Sequence, residues 1–170
     1  MTLTFAPNLP ADYRKGPIVI SGEASLPYPA QEYILGWEGE ECVAIYEIRY
    51  NAHTDPFKEA GFLGSLLGAG HEEYFYLFDT KAWENRLTLP MEGYFGHLYV
   101  ADDRFYVADA YGLYCIDKTG TVCWHNDKLG IDGVCVNRFD GPHLFGEGEW
   151  DPPGGWRDFV LDKQTGELVQ

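Results

Sequence analysis

The residues of this chain best placed to do chemistry lie between positions 147 and 156. Glu147, Glu149 and Asp151 alternate with Gly148 and Trp150, so an extended backbone puts the three carboxylates on one face. Three carboxylates on one side would suit a hard cation such as Ca²⁺, or an acid and base pair. Calcium loops bring Asp and Asn through a tight turn, which this stretch is not, and an exposed strand face explains the same pattern. Trp150 and Trp156 flank Asp-Pro-Pro-Gly-Gly, a loop stiff at its prolines and permissive at its glycines. The two indoles form either a platform for a sugar, a base or a partner's side chain, or an anchor packed under the loop. Trp150, Asp151, Trp156, Glu147 and Glu149 are therefore the expected binding residues, with no catalytic residue and no metal ligand assigned.

Other chemistries find less support. The histidines, His53, His71, His97, His125 and His143, lack the i, i+4 spacing of a helical metal site. His53-Thr-Asp55 and His71-Glu-Glu73 set a carboxylate beside an imidazole, with no third partner in view. No Gly-x-Ser-x-Gly elbow occurs, and no glycine-rich phosphate loop ends in lysine. Cys42, Cys115, Cys123 and Cys135 show no paired zinc-ribbon spacing and read as free, mostly buried thiols. Cys115 and Cys123 lie on two arms of one hairpin, but alternation around a four-residue loop leaves them on opposite faces.

The elements that must position these residues are strands. Aromatic residues make up 16% of the chain, a bias toward side chains that fit a pleated, half-buried surface. From residue 98 the sequence parses into strands at 98–101, 104–108, 113–116 and 121–124, joined by connections short enough to force antiparallel neighbours. A second unit repeats that grammar with strands at 133–139, 143–150, 156–162 and 167–169. Strands are also expected at 17–22, 32–37, 42–50, 73–78 and 85–89. Between them, Asp55 and Pro56 occupy the places for an N-cap and a first helical residue, and Phe62, Leu63, Leu66 and Leu67 share one helical face. One short helix is expected near 55–67. The whole is read as a single β-rich domain, 1–170, with an irregular portion, 1–90, followed by meanders at 98–127 and 133–170.

A repeat organises the second half. Residues 113–124, LYCIDKTGTVCW, are echoed at 159–169 by FVLDKQTGELV. Asp117 can cap its turn while Gly120 takes the φ > 0 position, and Asp162 with Gly166 repeats the arrangement one residue longer. The Thr-Gly steps at 119 and 165 are 46 residues apart, a period suited to propeller blades. Tyr114, Asp117, Thr119, Gly120 and Trp124 resemble the blade motif of quinoprotein-type (PQQ-like) β-propellers, as do Asp162, Thr165 and Gly166 without a following Trp. The resemblance implies antiparallel four-stranded sheets. The chain has room for about four, arranged as a propeller, half a propeller or packed sheets. No quinone-binding set accompanies the motif, so no cofactor is expected. The stretch GEWDPPGGW also resembles a C-terminal signature of uncharacterised bacterial proteins, which implies no activity.

Charge narrows the partners. With 27 acidic and 12 basic residues the formal net charge is -15, which repels nucleic acid and anionic lipid surfaces. The start has no basic region ahead of an apolar stretch and no run spans a bilayer, so a cytoplasmic protein is expected. The first expectation is a non-enzymatic acidic interaction protein, in its most concrete form a bacterial immunity protein that neutralises a basic toxin. The alternatives are a small-ligand or metal-binding β-domain with hydrolase or isomerase activity, and a propeller subunit that oligomerises. A pocket joining Glu147, Glu149 or Asp151 to a histidine would favour the ligand-binding alternative.

Overall fold

Short apolar runs punctuated by tight turns favour strands, and every regular element among the described residues is one. The structure, a computed structural model, describes residues 1–11, 13–22, 25–50 and 57–169. Sheet 1 holds β1 (Thr2–Ala6), β2 (Ile18–Val19), β3 (Ala30–Glu38) and β4 (Glu41–Arg49) in the order β1-β3-β4-β2. Its β2–β4 pair is parallel. Sheet 2 is a meander of β5 (Lys58–Leu63), β6 (Leu66–His71), β7 (Tyr74–Asp79) and β8 (Glu84–Pro90). Sheet 3 repeats it with β9 (Phe95–Ala101), β10 (Arg104–Asp109), β11 (Leu113–Ile116) and β12 (Val122–Asn126). Sheet 4 has β13 (Val134–Asp140), β14 (His143–Glu149) and β15 (Trp156–Asp162). The strand expected at 167–169 is reduced to one bridge between Leu161 and Leu168.

The sheets cover one another in series. Ile34, Tyr46 and Ile48 of sheet 1 meet Leu67, Ala69, Tyr76 and Phe78 of sheet 2. Leu66, Phe75 and Leu77 on the other face of sheet 2 meet Phe95, Phe105, Val107 and Ile116 of sheet 3. Tyr106, Leu113 and Trp124 then meet Val134, Leu144, Phe159 and Leu161 of sheet 4. Among the described residues these three clusters fill the successive seams, and none of them joins sheet 4 back to sheet 1. Sheets 2 and 3 are thus buried on both faces, which is why β6 and β11 read as unbroken buried runs while the edge strand β8 alternates.

The same double burial overturns the expected helix. Phe62 pairs with Leu67 and Leu63 with Leu66 across a hairpin, so side chains that share a helical face face each other on two strands instead. Gly64 makes the turn at φ 63°, the glycine-first geometry of a two-residue hairpin loop. The glycines that cost a helix stability have a use here: a Cβ on Gly70 would stand 1.8 Å from the Phe95 ring of sheet 3. Asp55 and Pro56, the expected cap, lie outside the described residues, as do His53 and Thr54.

The repeated turns form as their residues dictate. Asp117 Oδ1 accepts the N–H groups of Thr119 at 2.8 Å and Thr121 at 3.0 Å, and Gly120 sits at φ 87°. Asp162 Oδ1 accepts those of Gln164 and Thr165, with Gly166 at φ 72°. Asp79 makes a third copy, taking Lys81 and Ala82, with Trp83 at φ 57°. The later two turns meet the sheet before them: Trp124 Nε1 donates to Lys163 O at 2.9 Å, Asn126 Nδ2 donates to Gly166 O at 2.8 Å, and the backbone at Arg86 stands against Gly120.

The cysteines are free. Cys115 is buried and Cys123 exposed, on opposite faces. The expectation of mostly buried thiols fails, because Cys42 and Cys135 are only half-buried.

Candidate functional site

The first strands of sheets 2, 3 and 4, namely β5, β9 and β13, run side by side. Where β9 meets β13 a cavity of about 250 Å³ opens, lined by backbone at Gly96 and Gly133 and by Phe57, Tyr94, His97, Asp109, Asp132, Val134, Cys135, Glu149 and Trp156. Local sequence explains how these side chains arrive. Ala108 pairs with His97 and Asp109 with Phe95, so Gly96 is an extra residue in β9. Such a bulge bends the strand and re-aims the side chain that follows. Gly133, at φ 143°, lets the Trp156 ring approach the backbone, since a Cβ there would meet it at 3.3 Å.

Three carboxylates line the cavity, two of them tied down. Asp109 is fully buried; its Oδ1 accepts the N–H groups of Tyr111 and Gly112 and its Oδ2 that of Glu92. Glu149 accepts the N–H of Gly154 and so holds the 150–155 loop. The Tyr94 hydroxyl donates to the backbone oxygen of Asp132 at 2.9 Å. Phe57 stacks on Tyr94 with centroids 5.6 Å apart.

His97 is held by Glu59. Its Nδ1 lies 2.9 Å from Glu59 Oε1, while Glu59 Oε2 accepts the N–H of Leu98 at 2.8 Å. Cys135 lines the same cavity. The neighbouring Cys135 thiol first and Glu59 second push His97 up to about 10, against the opposing effect of burial. Glu59 itself is lowered despite burial, by His97 and the Leu98 N–H. Burial pushes the neighbouring Tyr99 hydroxyl, which accepts the N–H of Val136, up to about 12.

Of the residues expected from sequence, Glu149 and Trp156 reach this cavity. Trp156 is 40% exposed and pairs with Glu149 across β14 and β15. Trp150 instead takes the Arg157 guanidinium, 5.5 Å from its ring. Glu147 lies between Cys135 and Asp158 in the sheet register. Asp151 falls in the turn beyond β14, where its backbone oxygen accepts the N–H of Gly155. Glu59, His97 and Cys135 were missed. A usable signal exists: Glu59 and His97 are 38 residues apart, and Cys135 follows His97 at the same interval. Asp79 and Asp117 of the capped turns share that spacing.

Comparison with known proteins identifies the fold. No protein-family profile matches the sequence, and no curated protein does. Solved structures do match. BamB from Moraxella catarrhalis superposes with a TM-score of 0.56 at 14% identity, over 81% of this chain and 42% of that one. The WD40 domain of Toxoplasma gondii coronin gives 0.56 at 13% identity, over 82% and 40%. A chain of the mitotic checkpoint complex gives 0.53 at 16% identity, over 99% and 54%. The protein is therefore similar to β-propellers, its four sheets standing as blades. It spans about half the length of the structures it matches.

Proposed function

We propose that this protein binds a basic partner, and that the cavity between sheets 3 and 4 receives a cationic group of that partner. One observation carries the reading: Asp109, Asp132 and Glu149 share the cavity with the rings of Phe57, Tyr94 and Trp156. Carboxylates attract a lysine or arginine head group, and aromatic faces hold it by cation–π attraction. The His97 charge is offset by Glu59 beside it, so the cavity keeps an acidic balance. The net charge of -15 would steer such a partner from a distance. An immunity protein against a basic toxin domain is the most concrete form of this reading. The Asp-Thr-Gly turn and Trp124 are read as a PQQ-like blade segment, which the match to BamB supports, and no cofactor is assigned to it.

A Lys/Arg-rich peptide should bind at low ionic strength and weaken as salt is added, and Asp132→Asn and Trp156→Ala should each lower affinity by about tenfold. Binding indifferent to salt, or equal binding of a Glu-rich peptide of the same length, would overturn the proposal.

A second reading, a small-ligand domain with hydrolase activity, is favoured by one feature. The cavity joins Glu149 to a histidine, His97.

A further inference from the structure

The aspartate-capped turns repeat one another, but the residue that closes them differs. Gly166 donates its N–H to Asp162 O at 2.8 Å with φ 72°, and Gly120 donates to Asp117 O at 3.1 Å with φ 87°. In sheet 2 the same place is filled by Trp83, which donates to Asp79 O at 2.8 Å with φ 57°. Glycine takes the left-handed region without strain; a bulky side chain there is an outlier, and such outliers collect at ligand sites. Packing accounts for little of it. Trp83 is 65% exposed, the most of the large apolar side chains among the described residues. The cations that stand over rings among the described residues do so at Phe5, Phe145 and Trp150, not at this indole.

The glycines let their turns close on the sheet before. A Cβ on Gly166 would stand 2.5 Å from the Trp124 ring of sheet 3, and one on Gly120 would stand 3.0 Å from the backbone oxygen of Arg86 in sheet 2. Between sheets 1 and 2 the turn carries an indole in that place, and cavities open beside it. One, of about 570 Å³, lies between β2 and β8, the last strands of their sheets, with Ser21, Leu26, Phe78, Asn85 and Thr88 in its wall. A second, of about 330 Å³, is lined by Tyr13 and Lys15, and Trp83 belongs to both. These volumes suit small molecules. The polar lining is placed by β8, where Arg86 is an extra residue opposite Leu77 and Phe78, a bulge that brings Asn85 and Thr88 to one face. Asn85 Nδ2 donates to Ile20 O at 2.6 Å, and Thr88 Oγ1 donates to Asn85 Oδ1 at 3.3 Å. Among the described residues this leaves the second amide hydrogen of Asn85 and the lone pairs of Thr88 for a ligand.

Charge selects the ligand. Asp79 and Glu84, the carboxylates flanking this turn, are taken by Arg86 at 3.0 Å and 2.5 Å, so a cation gains little here. The net charge of -15 repels nucleotides and other anions. What suits the site is a neutral molecule with an apolar face for the indole and hydroxyls for an amide and a hydroxyl. A sugar ring is such a molecule, since its C–H bonds present positive hydrogens to the negative face of the indole. We propose that Trp83 is the stacking platform of a carbohydrate site between sheets 1 and 2, and that Asn85 and Thr88 hydrogen-bond the sugar hydroxyls. The site shares no lining residue with the cavity between sheets 3 and 4 and does not rest on cation binding there.

The test titrates the whole chain with cellotriose, maltotriose, chitotriose and lactose, followed by saturation-transfer NMR, which detects weak binding and reports which sugar protons meet the protein. At least one sugar should bind, with the C–H protons of one ring face most strongly saturated. Trp83→Gly should weaken that binding about tenfold and, by relieving the backbone, raise the melting temperature by about 3 °C. Trp83→Phe should keep part of the affinity, and Thr88→Val should lower it about threefold. Failure of every sugar to bind, binding indifferent to Trp83→Gly, or preference for adenosine monophosphate or a lysine peptide at Trp83 would each overturn the proposal. A lower melting temperature in Trp83→Gly would overturn it too, by making the indole a packing residue.

Discussion

His71 and His97 each face a glutamate across a boundary between blades, and their surroundings drive them in opposite directions. His71 lies between sheets 1 and 2, 2% exposed, with the Tyr50 hydroxyl bonded to its Nδ1. Glu32 Oε2 stands 3.7 Å from Nε2, beyond a hydrogen bond, because that oxygen is taken by Lys58 at 2.7 Å. Burial pushes His71 down, and the attraction of Glu72 and Glu32 does not recover it. His97 has its glutamate at 2.9 Å, the Cys135 thiol beside it in the cavity lining and a side chain 35% exposed, and it is pushed up. A carboxylate nearby does not charge a histidine. His97 rises because the Cys135 thiol acts on it first and Glu59, closed to hydrogen-bond distance, second, and burial does not cancel them. The first cluster is part of the packing between blades, and the second opens on the cavity.

The largest effect should come from breaking the pairing that occupies Glu32. Glu32 is buried, with its Oε1 accepting no hydrogen bond among the described residues. Lys58→Met removes its cation and should cost about 3 kcal/mol, read from urea unfolding at neutral pH. A cost under about 0.5 kcal/mol would show that Glu32 is held by something else.

Next in size are the pH profiles, whose signs must be opposite. His71 is kept neutral in the folded protein, so below its unfolded value of 6.5 the unfolded chain binds more protons. Its contribution is present above that value and lost as pH falls. Melting temperatures followed from pH 7.5 to 5 should decline in the parent and decline less in His71→Gln.

His97 reverses the argument. Its folded value of about 10 lies above 6.5, so its contribution is complete below 6.5 and lost as pH rises toward 10. Solvent over the ring screens it, and His97→Gln should cost under about 1 kcal/mol at pH 6 and nothing measurable at pH 10. Equal losses at both pH values would place His97 with His71, as packing.

The parts of this molecule legible in its sequence are those decided locally. Asp117, Asp162 and their glycines announce their turns because cap and positive-φ residue sit within five positions of each other. The antiparallel sheets of residues 98–162 follow from such turns. The β5–β6 hairpin was hidden because burial on both faces erases the two-residue alternation, and its apolar spacing then fits a helix as well. Glu149 and Trp156 were visible through the loop they flank. Glu59, His97 and Cys135 were not, since each looks ordinary alone and only the stacking of blades brings them together. Counting the period from Asp79 to Asp117, instead of from the Thr-Gly step at 119 to that at 165, would have aligned them; the 150–155 loop lengthens the last repeat and masks the shorter interval.

Trp124 lies on β12, at the edge of sheet 3 opposite β9, and holds the turn of sheet 4 through Lys163 O. The cavity lies at the other end of the same seam. The two blades are therefore pinned together at the rim by an indole that is not among the residues lining the cavity.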